Sequence, residues 1–160
     1  MSRSYIASAV TAIAIAAISH PSAAAHPTNH ARGTFEVKLT AQVPDDAVDD
    51  VTVGRASSSK TFEGDLQGTS KGEMLTAMTK VKNSAVYVAM ERVTATLDGR
   101  SGTFVLAHRG TMRRGAQELE ITVVPDSGTN QLAGISGTMA ITIVDGRHLY
   151  DFEYSLVESR

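Results

Sequence analysis

Two Asp-Gly dipeptides, Asp98-Gly99 and Asp145-Gly146, each stand between runs of alternating apolar residues. Such a pair supplies the positive φ angles of a type I′ turn, so each commits the chain to a tight antiparallel hairpin. The first hairpin spans Tyr87 to Met112, YVAMERVTATLDGRSGTFVLAHRGTM. With Leu97 opposite Arg100, Val93 faces Phe104, Glu91 faces Leu106 and Ala89 faces His108. One face of this ribbon carries Tyr87, Ala89, Glu91, Val93, Phe104, Leu106 and His108. It is apolar except for a carboxylate and an imidazole, which lie diagonally and within side-chain reach across the strands.

The neighbouring segments extend the same face. A tight turn at Arg113-Arg114-Gly115 sets His108 opposite Ile121 and Leu106 opposite Val123. The last hairpin pairs Ile143 with His148, Ile141 with Tyr150 and Met139 with Phe152, and Tyr154 continues that face. Near the start, Gly33 to Ala41 alternates with Phe35, Val37, Leu39 and Ala41 on one side, and Phe62, Gly64 and Leu66 share a face further on. Gln67 to Ser70 reads as a turn. If Gly68-Thr69 is its two-residue loop, Glu73 faces Gly64 and adds a second carboxylate to the apolar face. The Lys80 to Ser84 loop leaves that register open, because a one-residue slip exchanges the two faces. No helical periodicity follows residue 25. About eight evenly spaced strands joined by turns predict an all-β chain, a small antiparallel closed barrel with room for side chains and one small ligand.

The first 25 residues form a signal peptide by pattern. Arg3 opens them, Tyr5 to Ser19 is uncharged, Pro21 breaks the run and Ala23-Ala24-Ala25 offers a cleavage site. The apolar run is shorter than the roughly 20 residues a membrane-spanning helix needs. The expectation is an exported protein, periplasmic or secreted, with a flexible leader at 26–32 (HPTNHAR) and a single barrel domain at 33–160. The chain has no cysteine. Disulfides, a lipid-modified anchor and thiolate metal sites are therefore excluded, and packing must supply the stability. Removing residues 1–25 takes Arg3 from the 15 basic residues, leaving 14 against 17 acidic and a net charge of −3. No basic run remains, which argues against nucleic acid or an anionic membrane as a partner. The oligomeric state is not legible.

Several features carry possible chemistry. Glu91 and His108 lead: a carboxylate beside an imidazole in an apolar interior can hold the sheet in register, orient a ligand or move a proton. His148 completes a three-ligand metal set with them only if its strand faces theirs across the barrel, and no ligand spacing of the HExxH kind supports that. His26 and His30 are two ligands in an unsupported segment. The acidic stretch Val43 to Asp50 (VPDDAVDD) reads as a solvated turn, since it lacks the glycine and spaced oxygens of a calcium loop. Met74, Met78, Met90, Met112 and Met139 read as gap-fillers that would also suit an irregular apolar ligand. Asp126-Ser127-Gly128-Thr129 matches the aspartic-peptidase signature, but one copy beside Pro125 favours a surface loop. No cofactor and no metal are expected.

The segments SKTFEGDLQGTSKGEMLTA, ERVTATLDGRSGTFVLAHRGT, VVPDSGTNQLAGISGTM and HLYDFEYSL resemble, in order, the bacterial family of unknown function DUF 3224. The resemblance runs from Gly33 to Leu156. It implies an allene-oxide-cyclase-like, calycin-like barrel and agrees with the fold read from the hairpins. It implies no activity and no catalytic residue. The chain departs from the family pattern in its export segment and in Asp126, where a glycine is usual before the serine.

The expected function is a barrel that binds a small, largely apolar molecule. The expected lining is Tyr87, Glu91, Phe104, Leu106, His108, Ile121, Met139, Ile141, Tyr150 and Phe152. The alternatives are a cyclase or isomerase using Glu91 as acid or base, and a filled barrel with a structural or partner-binding role. A cavity of about 300 Å³ or more separates the first two from the third.

Overall fold

Eight long strands close into a ring. The computed structural model describes residues 28–42, 46–48 and 50–157. The expected signal peptide and cleavage point lie outside them. The strands are β1 (Asn29–Ala41), β2 (Asp46–Val48), β3 (Val51–Gly64), β4 (Leu66–Thr79), β5 (Ala85–Leu97), β6 (Arg100–Arg113), β7 (Ala116–Val123), β8 (Ile135–Val144) and β9 (Arg147–Leu156). Consecutive strands from β3 to β9 pair antiparallel, β9 pairs with β1, and β1 pairs with β3 to complete the barrel. The short β2 pairs only with the start of β3, beyond the reach of β1. Among the described residues the one helical element is a 3₁₀ turn at Asn130–Leu132.

The Asp-Gly turns set the registers as expected. Leu97 pairs with Arg100, Val93 with Phe104 and Ala89 with His108. His108 pairs with Ile121, and Ile143 pairs with His148. Asp98 and Gly99 have φ of +48° and +78°, the left-handed pair a type I′ turn requires.

The two ends of the barrel differ. At one end lie the β3–β4 turn, the Asp98-Gly99 turn and the 124–134 loop; we call this the closed end. Leu66, Val93, Leu97, Phe104, Leu106 and Phe152 fill that half and are wholly buried. Phe152 stacks on Phe104 at 5.6 Å and on Tyr154 at 5.3 Å between ring centroids. Each such side chain contributes roughly 1.5–3 kcal/mol relative to exposure. The 124–134 loop caps this half with Leu132, also wholly buried, and stands in for a strand along the start of β6. The Thr129 N–H donates to the Thr103 carbonyl (2.8 Å), the Thr103 N–H to Thr129 Oγ1 (3.0 Å) and the Val105 N–H to Ser127 Oγ (3.0 Å). The peptidase-like Asp126-Ser127-Gly128-Thr129 is thus part of this cap, with Asp126 exposed and at φ +59°.

Three readings need correction. The β3–β4 turn lies at Gly64–Leu66, not at Gly68-Thr69, because the Tyr150 hydroxyl accepts from the Leu66 N–H (2.9 Å) and lies 3.2 Å from the Glu63 carbonyl oxygen, pinning both sides of the turn. Ser57 therefore pairs with Glu73, and Glu73 is exposed on the outer surface. The leader expected to be flexible is already strand from Asn29, since β9 offers a pairing edge there and Ala31 is wholly buried. The acidic loop after Val43 contains β2, which folds back on Val51–Val53.

The barrel is uneven around its circumference as well. β5 and β6 share thirteen residue pairs, whereas β7 and β8 pair only at Thr122 with Thr138.

Candidate functional site

The inward residues rise in rows from the closed end. Lys60, Ser70 and Val93 share one row. Gly72, Glu91 and Leu106 share the next, then Met74, Ala89, His108 and Ile121, then Thr76, Tyr87, Gly110 and Leu119. The apolar filling is interrupted across the first two of these rows, where Lys60, Ser70 and Glu91 stand beside Val93 and Leu106.

Glu91, on β5, is 2% exposed. Lys60 Nζ donates to its Oε2 at 2.7 Å, and the Ser70 hydroxyl donates to its Oε1. His108 Nε2 lies 2.9 Å from Oε2 but without the alignment of a hydrogen bond. Lys60 is itself covered. Its ammonium lies 4.9 Å from the ring centre of Phe35 and 5.8 Å from that of Phe62, and cation–π attraction offsets part of its lost hydration. Burial pushes the Glu91 carboxyl up. The contacts from His108, Lys60 and Ser70 outweigh that and hold it at about 2. At neutral pH the site is therefore a buried ion pair whose acceptors are largely used.

Above the cluster, at the open end, is a cavity of about 340 Å³. Met74, Thr76, Met78, Tyr87, Met112 and Leu119 line it. Several of these apolar side chains stay accessible, Met78 at 59% and Leu119 at 44%. Gly110 shapes one wall. A Cβ there would sit 2.1 Å from the Tyr87 ring, so glycine is what lets the ring lie flat against β6. Burial, and then the charge of Glu91, raise the Tyr87 hydroxyl's pKa, so it stays a hydrogen-bond donor at neutral pH.

All ten residues expected to line a cavity sit on the inward face, but Tyr87 alone of them lines this one. Phe104, Leu106, Ile121, Met139, Tyr150 and Phe152 are packed core. Ile141 packs against that core partly buried, and Glu91 and His108 form the layer beneath the cavity. The reason is the aromatic stacking that fills the closed half. His148 does not join Glu91 and His108; its ring packs at a tilt against Phe35, 5.0 Å between centroids. Among the described residues no three carboxylate or imidazole side chains gather in metal-binding range. Of the five methionines, Met74, Met78 and Met112 reach the cavity, Met139 is in the core and Met90 points outward.

Sequence reasoning missed Lys60 and Ser70. A signal existed for Lys60: it alternates with Phe62, Gly64 and Leu66 and so shares their inward face.

No curated protein matches the chain. Among solved structures, the crystal structure of a protein of unknown function from the DUF3224 family of Shewanella oneidensis MR-1 is similar. The two are 46% identical, with a TM-score of 0.79 over 83% of this chain and 100% of that one. The family model described as a protein of unknown function (DUF3224) matches residues 31–154, a span that runs through all eight barrel strands, and the chain belongs to that family.

Proposed function

We propose that this protein is a binding barrel that holds a small, largely apolar molecule at its open end. The observation that carries the reading is the cavity of about 340 Å³, whose lining includes three methionines, a leucine and one phenol, with Gln117 and Glu118 among its polar residues. That size and chemistry suit a small ligand with few polar groups. The interior of the closed half is filled with packed side chains.

Proton transfer by Glu91 fits the geometry less well. Its carboxyl is held at about 2, too acidic to donate a proton at neutral pH and too weak to take one efficiently. It also lies beneath the cavity rather than on its lining. Its role in this reading is to anchor three strands under the ligand. We further propose that the barrel works outside the cytoplasm after cleavage following Ala25, which N-terminal sequencing of exported protein tests; a start at Met1 or Ser2 in soluble material overturns it.

Titration with the neutral apolar probe N-phenylnaphthylamine tests the binding reading. Saturable binding at one site is expected. Thr76→Phe, which fills the cavity, should weaken it at least about tenfold while leaving the melting transition cooperative. A wild-type protein that shows no saturable binding overturns the proposal.

A further inference from the structure

The open-end cavity does not stop at the barrel rim. It shares Ala85, Val86, Thr111, Met112 and Glu118 with a wider groove of about 890 Å³ that passes over the ends of β5 and β6 onto the outer surface. The path therefore has an inner and an outer part, and their chemistry differs. The inner part adds Met74, Met78, Leu119 and Tyr87 to the shared residues, with Thr76 and Gln117 as its own polar side chains. The outer part carries Arg109, Arg113 and Arg114 against a single carboxylate, Glu118. Among the described residues none of the three arginines forms a salt bridge. Arg109 lies directly opposite Glu120, whereas Arg113 lies opposite Ala116 with Glu118 only on the diagonal, and Arg114 stands in the turn.

The direction of a bound molecule follows from where net charge is left over. Below the cavity, Glu91 is already matched by Lys60, so a buried anion there would meet a carboxylate with no spare cation. At the rim the unmatched charge is positive and solvated. A guanidinium binds an oxyanion in a fork of parallel hydrogen bonds at modest desolvation cost.

We propose that the ligand is an amphipathic anion, with an apolar chain in the open-end cavity and a single oxyanion head outside the rim against Arg113 and Arg114. This rests on the reading of the open end as a binding cavity and names the class of molecule it takes.

Three amphiphiles with the same ten-carbon chain test it by calorimetric titration on the intact barrel: decanoate, decanol and decyltrimethylammonium. Decanoate should bind about tenfold more tightly than decanol, and the cation more weakly than either. The Arg113→Gln/Arg114→Gln variant changes only exposed side chains and should keep its fold. In it decanoate should fall to the affinity of decanol, while decanol is unchanged. Decanol binding as tightly as decanoate overturns the proposed head-group site and leaves the apolar cavity standing. So does a decanoate preference that survives in the double variant. If no member of the series binds, both readings fall.

Discussion

The seam between β5 and β6 and the seam between β7 and β8 are built from equally regular strands, yet one is thirteen residue pairs long and the other a single pair. The long seam is closed by a left-handed Asp-Gly turn that fixes its register. The short one is bridged by the 124–134 loop, which spends its hydrogen bonds on β6 instead. The cavity does not follow that division: it is lined from β4 to β7 and lies at the open end of the long seam itself. Filling and space divide along the barrel axis instead: aromatic stacking and Leu132 fill the closed end, and the rows above Glu91 are left open.

The largest effects should expose that contrast directly. Phe152→Ala in the closed half should cost about 3–5 kcal/mol in urea unfolding, while Leu119→Ala in the open half should cost less than about 1 kcal/mol. Similar losses for the two would break the comparison. Next comes the layer between the halves. Lys60→Met strands the Glu91 carboxylate and should cost about 3–5 kcal/mol; Lys60→Met/Glu91→Gln should recover more than half of it. An uncorrected loss in the double variant would mean that Lys60 matters by packing alone.

Acid sharpens the same point. Burial raises the Glu91 pKa, but its partners lower it further, from 4.5 to about 2. A depressed carboxylate pKa gives stability that is present above the unfolded value. That stability drains away as pH falls from about 4.5 towards 2. Glu91→Gln should flatten this part of the stability profile measured by thermal melts; an unchanged acid slope would place its cause elsewhere.

Turn positions come last. Gly99→Val places a β-branched residue at φ +78° and should lower stability by about 1–2 kcal/mol. A neutral result would show that the long seam does not depend on its turn. Asp126, at φ +59°, occupies a left-handed position in the cap. Asp126→Gly should raise the unfolding free energy by about 0.5 kcal/mol, the relief of the side-chain clash less glycine's added chain entropy. A loss instead would show that the carboxylate itself holds the cap.

Much of this was legible in the residues. Two Asp-Gly turns sufficed for the registers of β5–β6 and β8–β9, and with them for the meeting of Glu91 and His108. What escaped depends on contacts distant in sequence. Gly68-Thr69 is an adequate turn pair, but the hydroxyl of Tyr150 settles the turn at Gly64–Leu66 from 84 positions away. Lys60 stands in the polar run SSSK, and only closure of β1 onto β3 brings Phe35 over it. Alternation, finally, reports which face a residue takes and not its height in the barrel. Phe104 and Tyr87 share a periodicity, yet Phe104 lies in the packed core near the cap and Tyr87 in the cavity wall.

The single pair between β7 and β8 also bears on how copies of this protein behave together. A closed barrel normally has no sheet edge to offer, but beyond Thr122 and Thr138 these two strands lie side by side without pairing. The stretch of β8 concerned, MAITIV, is uncharged, rich in β-branched residues and free of proline and glycine, the composition that favours intermolecular strand stacking. Ile143 and Val144 are 63% and 50% exposed within it. On the facing strand Glu118 and Glu120 are both exposed and set charged side chains beside the open edge, a usual device against edge-to-edge pairing. Neutralising both carboxylates while leaving the fold intact would turn this unpaired edge into a template for self-association, at a rate set by protein concentration.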